Sequence, residues 1–177
     1  MIGVLVSGEG TNLQALIDAG LPIAAVASNR SDAGALARAG AAGIPNRVFE
    51  LAAYSDRTAR DRELADWLQL RGVDLVVLAG YMHLLTPVFL DRFRNHIVNV
   101  HPSLLPRFPG AQAIADALAA GVDTTGVTVH YVDEGLDSGA VIRQEPVAVE
   151  PRATLVERIH AVEHRILPEV VKELCAH

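Results

Sequence analysis

Two residues with catalytic side chains stand at the end of a short apolar run. Asn99 and His101 are separated by a single residue and close the run 97–100. Alternate side chains of a strand share a face, so both are expected on one side of a sheet. An amide and a protonated imidazole can both donate to an oxyanion, which develops when an acyl group passes to an amine. The pair therefore favours a role for His101 in acyl transfer over a purely structural role.

A third candidate, Asp137, lies in the polar, glycine-containing segment 133–139. A carboxylate near His101 favours the cationic imidazole, and it can order a water that carries the proton of the attacking amine. Aspartate is also common in turns, where its side chain binds its own backbone. Spacing alone leaves both interpretations open.

The segment 7–13 reads SGEGTNL and precedes an amphipathic stretch. Glycines let a backbone approach a ligand, and a helix N-terminus offers N–H groups, which together suit a phosphate. A plain tight turn is the alternative. A dinucleotide site requires a third glycine and an acidic residue after the second strand, but Leu13 and Arg30 occupy those regions. Arg30 could face the 2′-phosphate of NADP, so NADP binding stays an alternative. A ligand with a single phosphate monoester fits the loop better.

Short apolar runs alternate with helix-like stretches along the chain, which predicts parallel strands joined by right-handed crossovers. The fold expected is a Rossmann-like α/β fold, with a mostly parallel twisted sheet of about seven strands and helices on both faces. We expect one domain over residues 1–177. The predicted strands are 2–6, 23–27, 74–79, 97–100, 127–132 and 141–149, and the predicted helices are 13–19, 33–42, 56–70, 111–120, one starting at Thr86-Pro87 and a last one opened by a capping box at Thr154 and kinked or split at Pro168.

Composition excludes several classes of protein. Half of the 177 residues are hydrophobic and the net charge is −6, which argues against disorder and against a phosphate-backbone binder. The single cysteine, Cys175, excludes an internal disulfide and a cysteine-based zinc site. No apolar run is long enough to cross a membrane, and the N-terminus lacks a signal peptide pattern. We expect a soluble, cytoplasmic protein without nucleic-acid or membrane partners.

Four segments carry a family resemblance. Residues 8–14 (GEGTNLQ), 78–82 (LAGYM), 99–106 (NVHPSLLP) and 133–139 (DEGLDSG) are similar, in the same order, to the signatures of glycinamide ribonucleotide formyltransferases. The resemblance covers essentially the whole chain. It implies transfer of the formyl group of 10-formyltetrahydrofolate to the amine of glycinamide ribonucleotide, a step of purine synthesis. It also implies small-molecule substrates, with the folate as co-substrate, no metal, and a monomer or homodimer.

The resemblance also implies roles for individual residues. The family's catalytic trio corresponds to Asn99, His101 and Asp137. A cis bond between Leu105 and Pro106 is expected as well. The ribonucleotide-binding residues implied are Gly10, Thr11, Asn12, His160 and Glu163, and those for the folate are Arg57, Met82, His83, Leu84, Leu85, Asn99, Asp133, Glu134, Gly135, Leu136 and Asp137, largely through the backbone.

The sequence differs from the family pattern at one place, and several other functions remain as alternatives. Gln112-Ala113-Ile114 stands where many relatives carry a His-x-His pair, which puts the shape of the neighbouring loop in doubt. Residues 160–164 match the H-x-x-E-H motif of zinc proteases without any partner signature. A formyltetrahydrofolate hydrolase and a methionyl-tRNA formyltransferase share the family's core but normally carry an additional domain. A non-catalytic nucleotide-binding module would not need the trio.

Overall fold

Seven strands form a mostly parallel sheet in a computed structural model that describes residues 1–177. Their order is β3-β2-β1-β4-β5-β6-β7, with β7 antiparallel to β6. The α/β class and the number of strands are therefore confirmed, whereas β3 was missed because only three residues form it. The strands are β1 (Ile2–Val6), β2 (Ile23–Ser28), β3 (Asn46–Val48), β4 (Leu75–Leu78), β5 (Ile97–His101), β6 (Thr124–Tyr131) and β7 (Val141–Ala148).

Six α-helices alternate with the strands, as the amphipathic stretches predict. Two short 3₁₀ helices, Leu51–Ala53 and Arg152–Thr154, lie between them. None of the helices has the length and apolar character needed to cross a membrane. The α-helices are α1 (Thr11–Asp18), α2 (Gly34–Ala41), α3 (Arg57–Leu70), α4 (Pro87–Arg92), α5 (Ala113–Ala120) and α6 (Leu155–Cys175).

The chain divides into two compact units, Met1–Val98 and Asn99–His177. In the first unit β1 is fully buried and pairs in parallel with β2 and with β4. A strand covered on both faces needs an unbroken apolar sequence, which residues 2–6 supply. The expectation of a single domain over residues 1–177 stays a prediction.

In the second unit β6 and β7 form an antiparallel pair against which α6 packs. The apolar face of α6 is buried, and its polar face pairs with the outer strand. Arg143 of β7 contacts Glu169 at 3.0 Å and Glu173 at 2.7 Å, and Arg165 of α6 contacts Glu145. The outer strand is thus fixed to the last helix by charged side chains.

The predicted start of α6 at Thr154 is confirmed, whereas the capping bond and a split at Pro168 are not found, and a kink there stays a prediction. No side-chain bond from Thr154 caps the helix, because its hydroxyl donates to the carbonyl of Pro151, which precedes the 3₁₀ helix Arg152–Thr154. Pro168 does not split the helix, which runs unbroken from Leu155 to Cys175. The ring of Pro168 is buried, so packing there compensates for the backbone hydrogen bond that a proline cannot donate.

Candidate active site

The second unit brings the three predicted catalytic side chains together around the half-buried carboxylate of Asp137. Asn99 and His101 stand at the end of β5, and Asp137 lies in the turn between β6 and β7. Oδ2 of Asp137 lies 3.6 Å from Nδ1 of His101, and the two side chains are only 12% and 6% exposed. This is an ion-pair distance rather than a hydrogen bond, and low exposure strengthens the attraction.

The ring of His101 is oriented by oxygen atoms on both sides. Its Nε2 lies 2.8 Å from the carbonyl of Phe108, and a carbonyl can only accept, so Nε2 carries a proton. Nδ1 faces the Asp137 carboxylate at an ion-pair distance. Both nitrogens face protein oxygens, so direct donation to an oxyanion requires that the substrate oxygen replace the Phe108 carbonyl.

The Asp137 side chain does not form the Asx-type bond that its position in the turn allows, and its catalytic role stays a prediction. Its Oδ2 accepts the backbone N–H of Gly110, 2.8 Å away, and its φ of 51° lies in the left-handed region. The Asx-type bonds of this turn belong to Asp133, whose Oδ1 accepts from the Gly135 N–H and the Ser138 hydroxyl. The carboxylate of Asp137 is therefore directed at the histidines.

A second histidine, His130 at the end of β6, completes the cluster and was missed from the sequence. Its Nε2 lies 3.2 Å from Nδ2 of Asn99 and 3.8 Å from Oδ1 of Asp137. Its Nδ1 lies 2.8 Å from the Tyr131 carbonyl and so bears the ring proton. Nε2 of a neutral His130 then accepts one N–H of the Asn99 amide. The only sequence signal was a histidine next to the last residue of β6, beside the polar turn.

Burial lowers the pKa of His130, an effect that the nearby charge of Asp137 only partly opposes. The neutral form is the one that can accept from Asn99, so the lowered pKa keeps the amide oriented at neutral pH. An unfolded chain binds a proton on this histidine more readily than the folded one. His130 therefore reduces the free energy of unfolding as the pH falls through the ordinary histidine range.

Replacing His130 by Leu should lower the turnover number by up to about a hundredfold, because a misplaced catalytic group costs about that much. The mutation leaves the Asn99 amide without its acceptor while keeping an apolar side chain in a buried position. Steady-state kinetics at neutral pH measure the effect. His96→Leu, at an exposed histidine, is the matched control. Equal turnover in the two variants would show that His130 does not orient Asn99.

The segment 102–110 forms a rigid loop after β5. The Leu105–Pro106 peptide bond is cis, as the resemblance implied. The Thr128 hydroxyl accepts from the Leu105 N–H at 3.1 Å and donates to the Ser103 carbonyl at 2.7 Å. The Ser103 hydroxyl in turn donates to the carbonyl of Arg107, 2.5 Å away, and lies 3.2 Å from the carbonyl of Phe108. These bonds fix the carbonyl that orients His101.

The glycine loop of the first unit joins β1 to α1. Gly10 occupies the N-cap position with a φ of 77°, so no side chain caps α1. The start of α2 supports the loop, since the Ala35 N–H donates to the Gly8 carbonyl at 3.1 Å and the Arg38 side chain donates to the Glu9 carbonyl at 2.7 Å. A fixed backbone beside an uncapped helix N-terminus is the arrangement that suits an anion.

Gly10→Ala should reduce the free energy of unfolding by about 2–5 kcal/mol, from a left-handed backbone and an overpacked contact together. A Cβ at Gly10 would lie 2.5 Å from the Cβ of Ala35. Gly43→Ala is the matched control, because Gly43 has a φ of 68° but nothing within 4 Å of its Cβ position. Chemical denaturation should show the smaller loss for the control. Equal losses would mean that the close approach to Ala35 has no energetic consequence.

The segment after β4, residues 80–86, is tied to two other parts of the first unit. The Met82 N–H donates to the Ser7 hydroxyl at 2.9 Å, and that hydroxyl donates to Asn29. The Arg57 guanidinium donates to the carbonyl of Leu84. Arg57 therefore lies beside the segment 82–85, and the family resemblance implies that both bind the folate. Met82 and Leu84 are largely exposed, so the segment presents apolar side chains on a fixed backbone.

The remaining predicted residues lie on α6 and after β2. His160 is exposed and Glu163 is buried, one turn apart on the helix. The rings of His160 and His164 stack at 6.1 Å, and no group of three or more potential metal-binding side chains surrounds them, so the geometry gives no support to the protease motif. The Arg30 guanidinium is bound by both carboxylate oxygens of Asp32, and both side chains are exposed.

Comparison with known proteins gives one consistent family. Residues 1–171 match the model of the formyl transferase family. A phosphoribosylglycinamide formyltransferase of Haemophilus influenzae is 44% identical over 97% of this chain and 85% of its own length. The trifunctional purine biosynthetic protein adenosine-3 of Homo sapiens is 41% identical over 97% of this chain, which spans only 18% of that protein.

Solved structures agree with the sequence comparison. Glycinamide ribonucleotide transformylase 1 from Symbiobacterium toebii superposes with a TM-score of 0.92 at 49% identity, covering 95% of this chain and 84% of that one. A similarity of this extent covers the strands and helices of both units.

Proposed function

The chain belongs to the formyl transferase family, and from that premise we propose that it transfers a formyl group from 10-formyltetrahydrofolate to the amine of glycinamide ribonucleotide. The products are formylglycinamide ribonucleotide and tetrahydrofolate, so the reaction is a step of purine biosynthesis. The observation that carries the proposal is the cluster of an amide, two histidines and a shielded carboxylate in the second unit. Such a cluster supplies donors for the oxyanion and an acceptor for the amine proton, both of which appear during acyl transfer to an amine.

The chemistry begins with attack of the substrate amine on the formyl carbon. A new C–N bond forms, and the carbonyl electrons move onto the formyl oxygen. The Asn99 amide, held by neutral His130, donates its second N–H to that oxyanion, and His101 stabilises the same charge. The oxyanion then collapses, the bond between the formyl carbon and N10 of the folate breaks, and N10 takes up a proton.

Asp137 has two functions in this proposal. Its negative charge lies at an ion-pair distance from His101, and its carboxylate accepts the proton that the attacking amine loses, directly or through a water. The proton that reaches N10 balances the one lost by the amine, so no external acid is consumed. Turnover should depend on the carboxylate more than on any other single charge.

We assign the binding roles by the same family membership. The phosphate of the ribonucleotide binds the glycine loop through Gly10, Thr11 and Asn12, and His160 and Glu163 contact the same substrate. The folate binds the backbone of Met82, His83, Leu84 and Leu85 together with Arg57, and contacts Asn99 and the segment 133–137. The family needs no metal for this reaction.

A direct assay tests the reaction. Purified protein is mixed with 10-formyltetrahydrofolate, with and without glycinamide ribonucleotide, while tetrahydrofolate, formate and the formylated ribonucleotide are measured. We expect tetrahydrofolate to appear only with the amine and in equal amount to the formylated product. Formate release at the same rate without the amine would instead identify a hydrolase.

Location and assembly are further parts of the proposal. We place the enzyme in the cytoplasm as a monomer or homodimer that acts on small molecules. Cell fractionation and sedimentation velocity measure the two properties.

A further inference from the structure

Helix α3 holds the segment 81–86 with a buried ion pair. Arg60 and Asp61, adjacent on the helix, have side chains that are 0% exposed. Nε of Arg60 lies 2.9 Å and its NH2 nitrogen 2.8 Å from Oδ1 of Asp61. The other carboxylate oxygen, Oδ2, accepts the backbone N–H of Thr86 at 2.7 Å, and the NH1 nitrogen of Arg60 contacts Nδ1 of His83. Both partners of the pair therefore contact the same segment.

A buried pair of this kind contributes little to stability compared with apolar residues of similar size. The contacts that the pair makes outside itself fix the His83 side chain and the Thr86 backbone N–H, three residues apart in the segment. The pair therefore contributes a defined backbone path between His83 and Thr86, which includes the exposed side chain of Leu84.

The contact with Arg60 also fixes the protonation state of His83. A guanidinium has donors only, so Nδ1 of His83 must accept, and the ring proton sits on Nε2 of a neutral imidazole. The charged groups that act on this ring are Arg60, Arg57 and Asp61. Burial lowers the pKa of His83, the two arginines lower it further, and Asp61 opposes them.

One more titratable group touches His83. The ring of Tyr81 packs edge-on against it at 6.0 Å. Burial raises the pKa of Tyr81 to about 12, so this phenol stays neutral and adds no charge. Arg60 and Arg57 are the two cations that act on His83, and a proton on His83 would add a third positive charge.

We propose that Arg60 and Asp61 are positioning residues for the formylated folate, and that they hold the segment 81–86 in its binding shape only while His83 is neutral. The inference rests on the proposed function, which assigns the folate to this segment. Protonated His83 has no lone pair on Nδ1 and repels Arg60, so acid breaks the Arg60–His83 contact and leaves only the bonds of Asp61 and Arg57 between α3 and the segment. Folate affinity then falls, while the glycine loop is unaffected.

The first test compares Arg60→Met with Arg62→Met, an exposed position on the same helix. We expect Arg60→Met to raise the KM for 10-formyltetrahydrofolate by about tenfold or more, a loss of about 1.4 kcal/mol of binding. The KM for the ribonucleotide should stay within about twofold, and Arg62→Met should match the wild type in both. Circular dichroism confirms folding. An unchanged folate KM in folded Arg60→Met overturns the positioning role.

The second test uses His83 and remains decisive if Arg60→Met does not fold. His83→Phe keeps a ring but removes the acceptor, and His83→Asn offers an amide oxygen in its place. We expect weaker binding of tetrahydrofolate, measured by calorimetry under nitrogen, in His83→Phe and recovery in His83→Asn. Wild-type affinity in His83→Phe overturns the proposal.

The pH profile separates positioning from a merely structural role. Wild-type affinity for tetrahydrofolate should fall as the pH drops through the lowered pKa of His83, and His83→Asn should lack that fall. Identical profiles overturn the pH coupling. Wild-type protein that binds tetrahydrofolate but transfers no formyl group would contradict the proposed function alone. Wild-type turnover with an unchanged Arg60→Met would contradict this inference alone.

Discussion

Asp137→Asn should lower the turnover number by about 10²–10⁴-fold, the usual contribution of a positioned acid–base group. The change removes a charge 3.6 Å from His101 and 3.8 Å from His130 with little change in volume. Asparagine tolerates the left-handed backbone at this position, and its amide oxygen can still accept the Gly110 N–H. Folding and substrate binding should therefore persist. Rapid-quench single-turnover kinetics measure the chemical step directly.

The control for this variant is Asp123→Asn, which removes the same charge from an exposed position of the second unit. Its turnover should equal that of the wild type. If Asp137→Asn also turned over normally, the carboxylate would have no part in proton transfer. If both variants lost activity alike, the effect would come from net charge.

Asn99→Ala should reduce turnover by about 10²–10³-fold, as expected for the loss of one donor to an oxyanion. The amide donates one N–H to His130, so the second is aimed by a fixed contact. The KM for both substrates should change much less than the turnover number, because the oxyanion exists only in the transition state.

Asn46→Ala, at an exposed position of β3, is the matched control for Asn99→Ala. It should leave both KM values and turnover unchanged. A large rise in KM without a loss of turnover in Asn99→Ala would show that Asn99 binds the ground state. The amide would then be a folate contact and not an oxyanion donor.

Most of the fold follows from the alternation of apolar runs and amphipathic stretches. The run 2–6 has no polar residue and forms the fully buried β1. Local patterns failed where packing decided the outcome. Pro168 sits inside a continuous helix because its ring is buried, and three-residue β3 has too few residues to show a period.

The candidate site was predictable where its residues lie close together in the sequence. Asn99 and His101 follow from strand alternation, whereas the spacing of Asp137 left a turn residue equally acceptable. Its role depends on the contact with Gly110, 27 residues away, which no local pattern reveals. His130 and Arg60 were missed for the same reason, since a lone histidine in a strand and an arginine in a helix are ordinary until their neighbours are known.

The two ends of the strand order are protected against intermolecular pairing. A free strand edge exposes unpaired backbone groups on which other chains can assemble into aggregates. β3 offers only three residues, and its Arg47 is bound to Glu63. On β7, Arg143 and Glu145 carry charges that α6 retains in ion pairs. An approaching chain would have to bury these charges, so concentrated solutions of the folded protein should resist amyloid-like stacking.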